Sequence, residues 1–381
     1  MKKFFAAACA AAFLLSVGCT SIVQTADNNV NTECSEAEAA ENESTAYEPL
    51  NYREQVGLWL PYVRFSEYMQ GKSEAEFRKT VEQIMEDAAA DNVNTIYFHA
   101  RPNGDAYYFS ELFPKGTYLD GDYDPLAIVL EEAHKRNISV HAWINPLRLQ
   151  TAEQMNTVPD SFIVKKWINA GEPYVKNVGG RWYLAPAYTE TDELLRNSVR
   201  EILDNYDVDG VHIDDYFYPT TDPEFDREAF EASGINDLAQ WRIDNVNRFV
   251  KAMYDTVKAK DKRLVFGISP QGNIDANYNS QYADVKRWGS EEGFCDYIVP
   301  QIYFGFENEK SPFIPTLRQW EELVDESKVA LIIGLAAYKL GREDKWAGEA
   351  GELEWINDPD MIRKQIREVL NSTANGYALY Y

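Results

Sequence analysis

Two adjacent carboxylates, Asp214 and Asp215, follow the apolar run GVHI (210–213) within YDVDGVHIDDYFYP at 206–219. Side chains alternate across a strand, so Asp214 shares a face with His212 and Asp215 points the other way. Two ionised neighbours repel each other, and burial raises the cost of charging them. Glycoside cleavage uses such groups, because it needs a carboxylate beside the developing oxocarbenium ion and a second acid near the leaving oxygen. We predict that Asp214 is the nucleophile, base or charge stabiliser.

The second acid has three candidates. Asp105, in RPNGDA (101–106), is the first choice because it follows a predicted strand in a glycine-containing loop, and Asp215 and Glu307 are the alternatives. A different interpretation of Asp214 and Asp215 is a helix N-cap or a salt-bridge cluster, which carries no chemistry.

Other polar and aromatic residues stand at the ends of predicted strands, where they would surround a substrate. Arg101 and Arg148 would clamp a substrate or carboxylate through bidentate contacts, or would form ion pairs with Asp105 or Asp215. The predicted substrate-binding residues are Trp59, Tyr62, Arg101, Trp143, Asn145, Arg148, His212, Gln301, Tyr303 and Tyr338.

Three of the four histidines, His99, His141 and His212, share the predicted inward face, and parity places Arg101 on the same face as His99. They would form a hydrogen-bonded layer beneath the carboxylates, transfer a proton directly, or bind zinc. No HxH spacing occurs in the chain, so the sequence predicts no metal and no cofactor.

The elements that must position these residues alternate between short β-branched runs and amphipathic helical stretches. The strand runs are 56–60, 95–99, 139–144, 210–213, 264–268, 297–301, 330–335 and 376–380, and the helical stretches are 74–91, 124–137, 190–206, 237–260, 280–288, 315–327 and 359–371. This alternation predicts an α/β fold, a (β/α)8 TIM barrel, in which the carboxyl ends of the strands form the site. A doubly wound open sheet is the alternative, but no GxGxxG follows the first run. The long segment 147–187 predicts a loop insertion after strand 3, which forms a wall of the cleft or packs on itself.

The N-terminus carries a targeting signal. Residues 1–19 combine Lys2 and Lys3 with an apolar run and end in LLSVGC, which predicts a lipoprotein signal peptide with Cys19 as the lipidated residue. Ordinary secretion is the alternative. Residues 20–50 predict a flexible tether, and residues 51–381 predict the catalytic domain. The formal net charge of −25 argues against a nucleic-acid partner.

Five blocks in order resemble the glycosyl-hydrolase-like family 10 lipoproteins, which are bacterial TIM-barrel proteins. The blocks are RPNGDAYY (101–108), YDPLAIVLEEAHKRNISVHAWINPLR (123–148), YDVDGVHIDDYFYP (206–219), FGISP (266–270) and DYIVPQIYF (296–304). The resemblance implies a glycosidase of the periplasm or cell surface, and at least one family member is associated with cleaving peptidoglycan strands stripped of peptides. The block DGVHIDDY is also similar to the strand-4 signature of family 18 chitinases, but Tyr216 stands where that family has its catalytic Glu.

Three functional hypotheses follow. The leading one is a lipid-anchored glycoside hydrolase that acts on a cell-envelope glycan, such as peptidoglycan strands, or on another polysaccharide. The second is a non-catalytic carbohydrate-binding surface lipoprotein. The third is a metal-dependent hydrolase that uses His99, His141 and His212.

Overall fold

The computed structural model describes residues 47–381, in which the eight predicted runs form one parallel sheet wrapped into a barrel. The strands of this sheet are β1 Gln55–Leu60, β2 Thr95–Arg101, β3 Ser139–Ile144, β7 Gly210–Ile213, β8 Val265–Ile268, β9 Tyr297–Ile298, β10 Ala330–Leu331, β11 Ile333–Ala336 and β12 Gly376–Tyr380. Neighbouring strands follow the order β10-β9-β8-β7-β3-β2-β1-β12-β11, and every neighbouring pair is parallel. The predicted (β/α)8 barrel is therefore confirmed.

The barrel closes through the seventh predicted run, which the structure divides at Ile332 into β10 and β11. Strand β10 pairs with β9, whereas β11 pairs with β12. The gap is bridged by main-chain bonds, since Ile332 N–H donates to Ile298 O and Gly334 N–H donates to Pro300 O, both at 2.9 Å. β10 and β11 therefore act as one barrel strand that changes neighbours along its length.

Helices cover the outside of the sheet and follow the predicted alternation. The helices of this part of the chain are α1 Phe65–Tyr68, α2 Glu74–Ala90, α3 Pro125–His134, α4 Ala152–Met155, α5 Ile163–Ala170, α6 Thr189–Asn205, α7 Arg227–Ser233, α8 Leu238–Lys260, α9 Ile274–Gln281, α10 Val285–Ser290, α11 Phe313–Leu323, α12 Glu354–Asn357 and α13 Met361–Leu370. Side-chain caps fix several starts, such as the Ser73–Glu76 capping box of α2. The prediction of one continuous helix at 280–288 is wrong. Helix α9 ends at Gln281, Tyr282 follows it in a left-handed conformation, and Asp284 caps a new helix, α10.

The insertion predicted after strand 3 has its own small sheet. Strands β4 (Arg148–Thr151), β5 (Val175–Val178) and β6 (Arg181–Leu184) pair antiparallel in the order β4-β6-β5, and α4 and α5 lie between β4 and β5. Arg181 fastens the insertion to the loop after β2, because its guanidinium donates to Asn103 Oδ1 at 3.1 Å and to Leu149 O at 2.6 Å. Arg148, the first residue of β4, is thereby held at the carboxyl end of the barrel.

The barrel interior is filled by aromatic rings, and glycines on the neighbouring strands make room for them. A Cβ at Gly267 would lie 1.8 Å from the Tyr297 ring, and one at Gly210 would lie 2.5 Å from Val265 O and 3.2 Å from the His141 ring. The interior cluster contains Trp59, Tyr97, Trp143, Tyr297, Val299, Ala330, Ile332 and Ala378. The interior is thus a packed core whose upper layer supports the strand ends.

Residues 49–381 form one compact unit. The predicted signal peptide, Cys19 and the tether up to residue 46 lie outside the described residues. Between residues 47 and 381, no helix combines the length and the apolar composition that a membrane span requires.

Candidate active site

Asp214 and Asp215 lie directly after β7, at the carboxyl end of the barrel, as predicted. Asp214 is 4% exposed, whereas Asp215 is half-buried. Burial raises the pKa of both carboxyls, and the neighbouring Asp215 raises the pKa of Asp214 further, to well above its ordinary value. Two acids in this arrangement cannot both ionise freely, so one of them retains a proton over a wide pH range.

The Asp214 carboxyl faces the residues that follow β3. Its Oδ1 atom is buried, and so is the indole Nε1–H of Trp143; neither has a hydrogen-bond partner in the described part of the chain. The Arg148 guanidinium holds the pKa of Asp214 down, but burial and the neighbouring Asp215 outweigh it. Asp214 Oδ1 is therefore a buried oxygen whose hydrogen-bonding capacity is unused within the described part of the chain.

The Asp215 carboxyl has different neighbours. The side-chain amides of Gln301 and Gln271, which follow β9 and β8, oppose the effect of burial and lower its pKa. Amide N–H groups stabilise an ionised carboxylate. Asp214 and Asp215 thus differ in environment, and Asp215 is the better stabilised as an anion.

Arg148 forms the roof of this region together with two tyrosines. Its guanidinium lies 4.7 Å from the Tyr216 ring centroid and 5.9 Å from that of Tyr62. Burial lowers the pKa of Arg148, but Tyr216, Tyr62 and Asp214 raise it more, so the group is a permanent cation. Its buried Nε atom has no hydrogen-bond partner between residues 47 and 381.

Beneath the acids, His212 belongs to a hydrogen-bonded chain that crosses the barrel. Trp59 Nε1–H donates to His212 Nε2 at 3.2 Å. Because that nitrogen accepts, His212 Nδ1 carries the proton and donates to the Tyr297 hydroxyl at 3.0 Å. The hydroxyl in turn donates to His141 Nδ1 at 2.6 Å. The predicted hydrogen-bonded layer is confirmed for these histidines, and Trp59 is a buried member of it, 2% exposed.

The chain of hydrogen bonds requires neutral imidazoles. Burial lowers the pKa of His141 to about 4 and that of His212 to well below its ordinary value. A metal site built on the three histidines has no support, because among residues 47–381 no three His, Cys, Asp or Glu side chains are grouped to hold an ion.

His99 forms a second layer with the end of β3. Its ring stacks on Trp143, with centroids 3.5 Å apart and planes 13° apart, and its edge faces Tyr62. Asn145 fixes it from the side, since Nδ2 lies 3.3 Å from His99 Nε2 and donates to Pro102 O at 3.0 Å. The Asn145 Oδ1 is buried and accepts no hydrogen bond from residues 47–381.

Three tyrosines form the opposite wall. Tyr303, Tyr338 and Tyr380 pack against one another, with ring centroids 5.7 to 6.1 Å apart. Burial raises the pKa of Tyr303 and of Tyr380, and Asp214 adds to it in both. Tyr303 and Tyr380 are therefore close enough to Asp214 to feel its charge, and Tyr338 packs against both of their rings.

Arg101 is not on the inner face, and this corrects the parity prediction. The pairing of β2 with β3 shifts between His99 and Arg101, which leaves Ala100 as an extra residue and turns Arg101 to the other side of the sheet. The fully buried Arg101 guanidinium lies 4.7 Å from the Phe113 ring centroid, and burial lowers its pKa to about 10. The carboxylates that face it are Asp105 and Glu201 of α6, so the structure does not bring it to Asp214.

The other two candidates for the second acid lie apart from Asp214. Asp105 is buried in the loop after β2, where its oxygens accept from Asn103 N–H at 2.9 Å and Thr117 N–H at 3.4 Å. Burial raises its pKa to about 6. Glu307 is exposed in the loop after β9. The acid that the structure does place next to Asp214 is Asp215.

Three residues near the acids were not among the predicted site residues: Gln271, Tyr216 and Tyr380. Gln271 and Tyr216 follow strands in the same way as the predicted residues, so position could have identified them. Tyr380 lies inside the last strand rather than after it. The sequence there shows only that Tyr380 shares a face with Ala378, while Tyr377, Leu379 and Tyr381 share the other face.

The sequence comparisons agree on one family. The model of the family "Glycosyl hydrolase-like 10" matches residues 54–348. The chain is 32% identical over 321 residues to "Glycosyl hydrolase YngK" of Bacillus subtilis strain 168, covering 76% of this chain and 61% of the relative. It is 31% identical over 284 residues to "Glycosyl hydrolase DigH" of Escherichia coli K12, covering 66% and 64%. The chain thus spans a little over three fifths of the length of these relatives.

Solved structures share the fold at low sequence identity. "Alpha-L-fucosidase isoenzyme 2" of Paenibacillus thiaminolyticus superposes with a TM-score of 0.53 at 12% identity, covering 86% of this chain and 46% of that chain. The alpha-amylase of Geobacillus thermoleovorans superposes with a TM-score of 0.51 at 11% identity, covering 86% and 70%. These similarities concern the barrel alone.

Proposed function

The chain belongs to the glycosyl hydrolase-like 10 family, and from this premise we propose that it is a glycoside hydrolase whose catalytic pair is Asp214 and Asp215. The observation that carries the proposal is the buried pair itself, because both acids have raised pKa values and they have different neighbours. Hydrolysis of a glycosidic bond needs one carboxyl that still holds a proton and one that is ionised. Glycosidases obtain both forms at one pH by placing two acids in unequal environments.

Asp214 is the proton donor in this proposal. Its pKa lies well above the ordinary value, so it keeps its proton at a pH where Asp215 has lost its own. Its buried Oδ1 has no hydrogen-bond partner among residues 47–381, so this oxygen has hydrogen-bonding capacity that a glycosidic oxygen could use. This role differs from the nucleophile or base expected from the sequence, because the expectation did not include the effect of burial.

Asp215 is the carboxylate that accompanies the developing positive charge. The proton of Asp214 passes to the glycosidic oxygen as the bond from that oxygen to the anomeric carbon breaks. The anomeric carbon then carries positive charge, which the Asp215 carboxylate stabilises. A water molecule adds its hydroxyl to that carbon, and the proton it releases passes to the Asp214 carboxylate, which restores the acid for the next turnover. Gln271 and Gln301 support Asp215 as an anion throughout.

The substrate class that we propose is the peptide-stripped glycan strand of peptidoglycan. Its support is the resemblance of the five sequence blocks, together with the export signal and Cys19, which would hold the enzyme on a lipid anchor facing the periplasm or the cell surface. The tyrosine wall and the Arg148–Tyr216 roof suit a sugar chain, because flat aromatic faces pack on the apolar faces of pyranose rings.

The test is product analysis by mass spectrometry. Wild-type protein is incubated with intact peptidoglycan, peptide-stripped glycan strands and a panel of other polysaccharides. We expect new reducing ends from the stripped strands and none from intact peptidoglycan. Cleavage of another polysaccharide alone would keep the glycosidase and replace the substrate, whereas glycan retention without any cleavage would instead support the carbohydrate-binding lipoprotein.

A further inference from the structure

A cavity of about 410 Å³ lies beside the two glutamines that support Asp215, and most of its lining residues have no role in the catalysis described above. It opens between the loops that follow β8, β9 and β11. Its walls contain Gln271, Gly272, Asn273, Gln301, Tyr303, Phe304, Asn308, Lys310, Ser311, Lys339, Asp344 and Trp346. Its volume is within the range of cavities that hold a small ligand.

The cavity shares side chains with the catalytic centre. Gln271 and Gln301 line it and also contact the Asp215 carboxyl. Tyr303 lines it as well, and both acids contribute to the rise in its pKa, after burial and its tyrosine neighbours. A chain bound across Asp214 and Asp215 would therefore continue into this space.

The walls are held in place by their own hydrogen bonds. Asn308 is buried, and its Oδ1 accepts from the N–H groups of Lys310 and Ser311 at 3.1 and 2.9 Å. Lys339 donates to Tyr303 O and to Asp344 Oδ2, both at 2.7 Å, which ties the loop after β11 to the loop after β9. A preformed cavity loses little entropy when it accepts a ligand.

Trp346 at the rim of the cavity is unusual because its side chain is 87% exposed, more than any other large apolar residue among 47–381. Leaving an indole in water forgoes the free energy of burial, about 25 cal/mol per Å² of apolar surface. An exposed aromatic ring beside a cavity is typical of a binding surface, while isolated exposed apolar residues elsewhere carry no such meaning. The remaining walls offer amides, a hydroxyl and the ammonium of Lys310, which suit sugar hydroxyls.

We propose that this cavity is a second sugar-binding subsite, in which a pyranose residue adjacent to the cleaved one stacks on Trp346. The amides of Asn273 and Gln271 lie within reach of its hydroxyls. This inference rests on the proposed glycosidase function and adds to it that the enzyme engages a chain rather than a single terminal sugar.

The test compares Trp346→Ala with a matched control, Phe109→Ala, which removes another exposed aromatic (64%) outside the cavity. Both variants are made in the Asp214→Asn background for binding and in the wild-type background for kinetics. The probe is peptide-stripped glycan strands, separated into short and long size fractions. Isothermal titration calorimetry gives affinity, and release of reducing ends gives kcat/KM.

We expect Trp346→Ala to weaken binding of the long fraction about tenfold and to affect binding of the short fraction less. Phe109→Ala should bind both fractions with the affinity of its parent protein. Trp346→Phe should recover most of the affinity. Equal affinities for Trp346→Ala and Phe109→Ala would overturn the subsite, even if cleavage proceeds. If glycan binding depends on Trp346 but the wild-type protein cleaves no glycan, the catalytic proposal is refuted and the subsite stands. If the protein binds no glycan at all, both proposals are refuted.

Discussion

The Tyr297 hydroxyl joins two buried histidines, and its removal by Tyr297→Phe tests whether the hydrogen-bonded layer beneath the acids is as connected as the distances indicate. The hydroxyl accepts from His212 Nδ1–H at 3.0 Å and donates to His141 Nδ1 at 2.6 Å. The ring itself is 2% exposed and packs parallel to His212. The substitution removes one oxygen and leaves the aromatic packing in place.

The expected cost follows from the groups that lose their partners. His212 keeps a buried N–H without an acceptor, and His141 keeps a buried nitrogen without a donor. A buried polar group left unsatisfied costs about 1–3 kcal/mol, so two of them should lower the free energy of unfolding by about 3 kcal/mol. The loss of the oxygen itself creates too little space to add a cavity cost of that size.

The assay is equilibrium urea denaturation followed by tryptophan fluorescence, with Tyr52→Phe as the matched control. The Tyr52 hydroxyl donates to Asn137 O at 2.7 Å on the exposed surface, so its loss should cost less than about 0.5 kcal/mol. A Tyr297→Phe protein as stable as Tyr52→Phe would refute the reasoning, because the histidine layer would then not depend on the hydroxyl.

Three further predictions concern Arg148, Asp105 and Cys19. Arg148→Ala removes a cation that lowers the pKa of Asp214, so the alkaline limb of the kcat–pH profile should move to higher pH and kcat/KM should fall about tenfold. Arg148→Lys keeps the charge and should leave the alkaline limb in place. An alkaline limb that moves in neither variant would contradict the electrostatic interaction between Arg148 and Asp214. The pKa of Asp105 is raised to about 6, so its neutral form stabilises the fold below about pH 4, and that stability is lost as the pH rises through about 6. Relative to Asp105→Asn, wild type should therefore lose about 3 kcal/mol over this range in urea titrations, and parallel curves would show that the carboxyl is not desolvated. Cys19→Ala should move the protein from the detergent phase to the aqueous phase in Triton X-114 partitioning, and retention in the detergent phase would exclude Cys19 as the anchor.

The barrel could be predicted because the pattern that specifies its strands and helices lies in short stretches of neighbouring residues. Each strand run is short, apolar and β-branched, and it is followed by an amphipathic helix, so the alternation identifies the architecture without knowledge of contacts. The break at Ile332 could not be predicted, since it arises where one strand must pair with β9 on one side and with β12 on the other. Closure of the sheet determines that change of neighbour.

The positions of the site residues could be predicted wherever side chains alternate regularly along a strand. The prediction failed where that alternation is interrupted. Asp214, His212 and Trp143 occupy the inner positions that alternation assigns to them. Arg101 does not, because an extra residue at Ala100 reverses the alternation, and no residue type marks that bulge in the sequence.

The structure favours Asp215 over Asp105 as the second acid for a reason that the sequence does not contain. Asp105 has the loop position of a catalytic group, but both of its oxygens accept backbone N–H groups, an arrangement that depends on how residues 103–117 fold. Burial also determines which of two acids keeps a proton, and burial is a property of the assembled barrel rather than of the adjacent sequence letters.

The central claim is that Asp214 donates the proton in glycosidic cleavage, and it is tested most directly by the rate of reducing-end release from peptide-stripped glycan strands by wild type and Asp214→Asn. Asparagine preserves the size of the side chain but has no acidic proton. We expect the rate to fall at least about a hundredfold, since general acid catalysis contributes typically 10²–10⁴-fold, with circular dichroism and glycan affinity unchanged. A folded Asp214→Asn protein that cleaves the strands at the wild-type rate would contradict the account.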